Sequence, residues 1–254
     1  MPQPSTHTPL GLPFVELPFT DSTNNYARAL IKGGKGQHGI AVFTNDQQAG
    51  KGQRGKTWIA EKGKNMALSL VIKPNFLTIS QQFQLSALAA IASLELISEI
   101  TNGNCAIKWP NDLYWQDRKA GGILIESIVS ASGNWDWAII GIGINVNQEK
   151  FPEDLPNPVS LKQITGKDQE PKELALLLCK KLDYYFQQLE KKGFDALYQT
   201  YLNQLYQKDQ VVRFKKGAAA FNATIETVTP TGELVINHAI KETIPFGQIE
   251  WVIN

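Results

Sequence analysis

The stretch Gly50-Lys51-Gly52-Gln53-Arg54-Gly55-Lys56-Thr57-Trp58 places three glycines and three cations in one short loop that closes on a tryptophan. Glycine lets a backbone approach a ligand closely and turn its N–H groups inward. Lys51, Arg54 and Lys56 put positive charge where those groups point. The result is a seat for an anion such as phosphate; a solvated basic loop is the alternative reading of the same composition. On either side lie apolar runs. Gly39 to Thr44 (GIAVFT) shows little alternation and reads as a strand buried on both faces, and Met66 to Ile72 (MALSLVI) reads as another, stopped by Lys73-Pro74.

Upstream, Phe14 to Leu17 reads as a short strand. Asp21-Ser22-Thr23-Asn24-Asn25 then precedes Tyr26, Ala27, Leu30 and Ile31 at helical spacing, with Ser22 or Thr23 as N-cap and Gly33-Gly34 as the stop. Downstream, a long helix begins at Ser80, its apolar face marked by Phe83, Leu85, Leu88, Ile91, Leu94 and Ile97. Strands follow at Ala106 to Trp109, Leu113 to Trp115 and Gly121 to Val129, with a turn at Gln116 to Arg118. Trp135 to Val146 (WDWAIIGIGINV) is apolar on both faces and should be central. Glu149 to Glu170 is a long connection. Pro171 opens a helix at a position that tolerates proline, and a second helical pattern runs from Phe194 to Leu205. From Asp209 short strands with turn signals (VVRF, FNATIETV, ELVIN, IEWVI) form a small all-β appendage.

Hydrophobic residues make up 43% of the 254, enough for a sizeable core. The 25 Lys+Arg nearly balance the 24 Asp+Glu, so net charge gives no support to sequence-independent nucleic-acid binding. Cys105 and Cys179 are far apart and belong to no metal-ligand pattern, so neither a structural zinc nor a disulfide framework is expected. Met1 to Pro13 reads as a loose lead-in without the apolar core of a signal peptide, and no apolar run approaches bilayer length. A soluble protein of a reducing cytoplasm is the expectation.

Four further stretches could carry chemistry. Asp21-Ser22-Thr23-Asn24 sits at a helix start, where free N–H groups meet polar side chains, although plain capping explains it too. Lys108-Trp109-Pro110-Asn111-Asp112 is either a common turn or the mouth of a site for a ribose, an adenine edge or Mg²⁺. Arg118-Lys119-Ala120-Gly121-Gly122 is either a charged hairpin or a lysine freed to reach a ligand. Gly141-Ile142-Gly143-Ile144-Asn145 weakens a buried strand, which marks close approach by a ligand or another backbone. No helix follows it, so it is not a dinucleotide fingerprint.

In order and spacing, these stretches resemble the biotin–protein ligases. The glycine loop is similar to that family's biotinyl-phosphate loop, and KWPNDLY, RKAGGILIE and GIGINVN are similar to the three motifs that follow it. The resemblance implies an α+β fold of the class II aminoacyl-tRNA synthetase and biotin ligase kind. A mixed central sheet packed by helices would form a catalytic domain, residues 1–207, followed by a small SH3-like β barrel, residues 208–254. It implies activation of biotin by ATP to biotinyl-adenylate, then transfer to a lysine of a biotin carboxyl carrier protein. By the same resemblance Ser22, Thr23, Asn24 and Gln47 hold biotin; Lys51, Gly52, Gln53 and Gly122 contact biotin or phosphate. Lys119 and Arg54 serve catalysis by stabilising charge. Lys108, Asn111, Asp112 and Asn145 face ATP, with Asp112 toward its Mg²⁺, and Trp58 lines the nucleotide pocket or packs the loop's base.

Two departures stand out. The family's usual arginines appear as Lys51, Gln53 and Lys56, with only Arg54 kept, and lysine lacks the bidentate fork. The motifs also begin almost at once, so a ligase without a DNA-binding repressor unit is expected, acting as monomer or homodimer with no DNA or membrane partner. A lipoate–protein ligase and a non-catalytic biotin sensor are the rival readings.

Overall fold

The structure, a computed structural model, describes residues 8–252. In chain order its elements are β1 (Phe14–Glu16), α1 (Thr23–Lys32), β2 (Ala41–Thr44), β3 (Gly50–Lys51), β4 (Thr57–Trp58), β5 (Met66–Ile72), α2 (Gln82–Thr101), β6 (Cys105–Lys108), β7 (Asp112–Trp115), β8 (Arg118–Val129) and β9 (Trp135–Ile144). Then come α3 (Leu161–Thr165), α4 (Pro171–Lys192), α5 (Asp195–Asn203), β10 (Val211–Lys216), β11 (Ala219–Val228), β12 (Leu234–His238), β13 (Ile240–Ile244) and β14 (Glu250–Trp251).

Seven strands form the main sheet in the order β1-β2-β5-β9-β8-β7-β6. Within it β1 and β2 pair in parallel and every other neighbour is antiparallel, so the sheet is mixed, and β9 is its middle strand as the two-sided apolar run requires. Side chains alternate between the faces. Met66, Leu68, Leu70 and Ile72 of β5 and Ile140, Ile142 and Ile144 of β9 join the large core with α2, α4 and α5. Val71 of β5 and Ile139 of β9 pack instead with Ala27, Leu30 and Ile31 of α1. The α1 face is thus covered only in part, and the uncovered part holds the site.

A second, five-stranded antiparallel sheet (β13-β12-β11-β10-β14) packs against α2, α5 and the β6–β7 turn. Trp109 donates its indole N–H to the Gly232 carbonyl at 2.9 Å, and Trp251 donates to the Trp109 carbonyl at 3.2 Å.

Several expectations need correction. Of the lead-in, residues 1–7 lie outside the described residues, but Leu10 is buried and its N–H donates to Asp183. Ser22 is the N-cap residue, yet its side chain makes no cap; the Gln47 side-chain carbonyl accepts from the Thr23 N–H at 2.9 Å instead. The segment Ile79–Thr101 does reach spanning length, with mean hydropathy 1.4, and it is the core helix α2 with its preceding turn. The long connection contains α3, and β13 is an edge strand that the pattern does not announce.

Candidate active site

Every residue that the resemblance assigns to a ligand lines one cleft of about 370 Å³ on the α1 face of the sheet: Ser22, Thr23, Asn24, Gln47, Lys51, Gly52, Gln53, Arg54, Trp58, Lys108, Asn111, Asp112, Lys119, Gly122 and Asn145. Five stretches, far apart in sequence, supply them. α1 aims its first turn at the middle of the sheet, and Thr23 and Asn24 are buried there. Ser69, on the α1 face of β5, lies 2.7 Å from Thr23 Oγ1 and 2.6 Å from Asn24 Oδ1. Asn24 Nδ2 donates to Glu126 of β8 at 2.8 Å, and Glu126 also pairs with Arg28 at 3.0 Å.

The glycine loop is a two-stranded ribbon, β3 paired with β4, with a tight helical turn at Gln53–Gly55. The turn needs positive φ at Arg54 (55°) and Gly55 (76°), which explains a glycine at the second position. Lys51 reaches back to Asn25 Oδ1 at 2.6 Å and ties the ribbon to α1. The Arg54 side chain lies against Gly247 between β13 and β14.

Opposite the ribbon, Lys119 Nζ pairs with Asp112 Oδ1 at 2.6 Å and sits 5.8 Å from the Trp58 ring centroid. A bulge opposite Leu113 and Tyr114 brings this about. Positions 119 and 122 would face opposite sides of a regular strand; the extra residue turns Lys119 to the side of Gly122. A Cβ on Gly122 would lie 3.6 Å from Lys119 Nζ. Lys108 is buried, with Nζ 4.8 Å from the Trp251 ring and 5.2 Å from the Tyr114 ring. Burial pushes its ammonium down to about 8; nearby Asp112 pulls it up, and Lys119 and Lys56 push it down further.

A Cβ on Gly141 would run into the Asn24 carboxamide, and one on Gly143 into the Trp58 indole. The space beside these glycines of β9 holds two side chains of the protein, and both glycines also line the cleft. Asn111 and Asn145 line the cleft but also hold its frame. Asn111 Nδ2 donates to the Ile123 carbonyl at 2.6 Å, and Asn145 Nδ2 to the Lys119 and Val159 carbonyls at 3.2 and 3.1 Å.

Residues 16–145 match the model of the Biotin/lipoate A/B protein ligase family. The chain belongs to this family. Among its relatives is the biotin–[acetyl-CoA-carboxylase] ligase of Paracoccus denitrificans, 30% identical over 91% of this chain and 97% of that protein. The bifunctional ligase/repressor BirA of Escherichia coli is 33% identical over 70% of this chain, but that match spans only about half, 54%, of BirA. The fold is that of the biotin protein ligases. The Aquifex aeolicus biotin protein ligase in complex with biotin and ATP superposes with a TM-score of 0.78 at 27% identity, covering 93% of this chain and 97% of that one.

Within this family fold, sequence reasoning missed Ser69 and Glu126 behind the cleft, and Phe246, Gly247 and Trp251 in its wall. Of the first two, Ser69 had a signal, as the lone polar residue inside the apolar strand MALSLVI, whereas Glu126 is followed at once by Ser127. The last three come from the second sheet and had none.

Proposed function

We propose that this chain is a biotin–protein ligase. It activates biotin with ATP and passes the biotinyl group to a lysine of a biotin carboxyl carrier protein. The observation that carries the reading is the meeting of all five motif stretches in one cleft, with Lys119 and Lys108 on its floor and a glycine ribbon over it.

In the first step a carboxylate oxygen of biotin bonds to the α-phosphorus of ATP, and the bond from that phosphorus to pyrophosphate breaks. Two anions must meet, so the site needs fixed cations and N–H donors. Thr23, Asn24, Ser22 and Gln47 take biotin at the α1 end, where the first three are buried and the half-buried Gln47 accepts from Thr23. Lys119 stabilises charge at the carboxylate and α-phosphate and is not a nucleophile. Lys108, Asn111, Asn145 and Trp58 take the nucleotide, and Arg54 closes on it from the ribbon. Mg²⁺ suits this site as an ion carried in on ATP. Asp112 would be its carboxylate, and among the described residues no group of three His, Cys, Asp or Glu makes a separate cage. Magnesium commonly takes one or two carboxylates plus substrate phosphates, and when bound it would neutralise phosphate charge.

In the second step the acceptor amine bonds to the biotinyl carbonyl carbon, AMP leaves and the amine loses a proton. The Gly50–Trp58 ribbon shields the mixed anhydride from water until then. The free thiols of Cys105 and Cys179 fit a reducing cytoplasm, where we place the enzyme.

The test is ATP–pyrophosphate exchange with purified protein and Mg²⁺, run in parallel with biotin and with lipoate. Exchange with biotin alone supports the reading. Exchange with lipoate alone transfers the case to lipoate ligation, and biotin binding without exchange would make the chain a sensor.

A further inference from the structure

The backbone of Lys119 has lost its sheet partner on one side and taken another. β9 ends at Ile144, opposite Gly121 of β8. Continued for two residues, the same register would set Val146 against Lys119. Val146 turns away instead: its N–H donates to Asn65 Oδ1 at 3.0 Å, and its carbonyl accepts from the Lys162 N–H at 2.9 Å. Backbone groups set free in this way need new partners, and the long connection after β9 supplies them. The Lys119 N–H donates to the Asn157 carbonyl at 2.7 Å, and the Lys119 carbonyl accepts from the Val159 N–H at 2.9 Å, an isolated parallel bridge at Pro158.

Asn145 locks that bridge. Its Nδ2 lies 3.2 Å from the Lys119 carbonyl and 3.1 Å from the Val159 carbonyl. A carbonyl only accepts, so the amide nitrogen must stand there, and both of its N–H groups are used. The Asn145 backbone is held as well, its N–H donating to the Ala120 carbonyl at 2.9 Å and its carbonyl accepting from the Leu161 N–H at 3.0 Å. Asn145 is buried and keeps no donor for a nucleotide, only Oδ1. From the exposed side, Arg118 Nη2 donates to the Pro158 carbonyl at 2.6 Å.

We infer that Asn145 is a positioning residue for Lys119: together with Arg118 it clamps the Lys119 backbone to Asn157–Val159 and so fixes where the ammonium meets the reacting oxygens. This rests on the ligase reading, in which Lys119 stabilises charge at the carboxylate and α-phosphate. Lys119 is then held at both ends, by the clamp at its backbone and by Asp112 at Nζ, 2.6 Å away.

The experiment is pyrophosphate exchange of the full chain with biotin, read with radiolabelled pyrophosphate, in double-mutant cycles with Lys119→Ala. Misplacing a reacting group by about 1 Å can cost about a hundredfold. Asn145→Ala loosens the clamp without removing it, so kcat should fall about tenfold with KM for ATP unchanged, as for an interaction made only in the transition state. Arg118→Ala changes an exposed residue and should cost about threefold, and Arg118→Lys, which keeps a donor for Pro158, should restore the rate. With Lys119→Ala in place both costs should vanish, because no ammonium is left to position. Costs that persist in that background, or that appear in KM for ATP, would put Asn145 on the nucleotide and overturn the inference while the ligase reading stands. Folded variants at the wild-type rate overturn it too, and the Arg118 cycle decides alone should Asn145→Ala fail to fold. Wild-type protein that gives no exchange with biotin overturns both.

Discussion

A single methyl group on β9 should separate the nucleotide end of the cleft from the biotin end. In Gly143→Ala the new Cβ would lie 2.6, 2.8 and 3.0 Å from three atoms of the Trp58 indole. Carbon atoms rest about 3.5–4.0 Å apart, so something must retreat by about 1 Å. β9 cannot, because Gly143 is paired with Ala67 of β5 on one side and Gly122 of β8 on the other. The indole must move. It sits on the ribbon that carries Arg54 and lies across from Lys119. A misplacement of about 1 Å at a reacting centre can cost about a hundredfold. The expected loss is therefore about a hundredfold in kcat/KM for ATP, read by pyrophosphate exchange. In the proposed reading biotin is held by Thr23, Asn24 and Gln47, so its affinity should stay within about threefold. The ring is half-buried and can yield, so the melting temperature should fall by no more than about 4 °C. The decisive control is a double variant. With Trp58→Ala in place the methyl has nothing to strike, and Gly143→Ala should add almost nothing. Costs that simply add would refute the clash as the cause.

Three further outcomes are expected. Lys119→Ala should slow adenylation by about 10²–10³, the cost of one preorganised charge-stabilising group; adenylation at the wild-type rate would remove Lys119 from the reaction. Lys108 has a folded pKa of about 8 against an ordinary 10.5. Its charged form is lost as pH rises through about 8, so kcat/KM for ATP should fall there, and Lys108→Arg should flatten that limb. Linkage runs the other way: between about 8 and 10.5 the unfolded chain holds the extra proton, so stability should rise with pH in that window. Finally, Lys51, Gln53 and Lys56 lack the bidentate fork of the arginines whose places they take in the resemblance, so under the proposed function an adenylate should be gripped less firmly. Biotinyl-adenylate should escape before transfer, and Gln53→Arg should retain it; a chase with excess carrier protein that finds none free would refute this.

Much of the fold was legible because its central elements carry strong signals. β5 is uninterrupted and apolar, β9 is apolar on both faces, and both were placed correctly, β5 to the residue. The stretches singled out by the motif order likewise meet in one cleft. What was not legible has local physical reasons. β3 and β4 are two residues each, too short to show a period of two, so the ribbon looked like a loop. β13 is an exposed edge strand, Ile-Lys-Glu-Thr-Ile, whose polar residues read as a loop beside β12. The cap on α1 comes from Gln47, and no local pattern at Ser22 can reveal a partner so far along the chain.

The glycines of β9 show where the reading could have gone further. On the α1 face, alternate positions run Ala67, Ser69, Val71 on β5; Gly122, Leu124, Glu126, Ile128 on β8; and Ile139, Gly141, Gly143 on β9. On β5 and β9 this face passes from small or polar residues at the cleft to large apolar ones under the body of α1, whereas on β8 the large Leu124 lies at the cleft ahead of Glu126. Val71, Ile128 and Ile139 pack against that helix, whereas Ser69, Glu126 and Gly141 all meet Asn24 in its first turn. A face that changes character at the same level on two paired strands, Ser69 to Val71 beside Gly141 to Ile139, marks the place where a helix stops covering the sheet. Read one face at a time, the alternation of a strand therefore locates both the helix that packs on it and the polar cluster at that helix's end. Gly141 and Gly143 lie in that cluster. They are the gap through which Asn24 and Trp58 reach the sheet, and a ligand finds there a wall that these two side chains have already built.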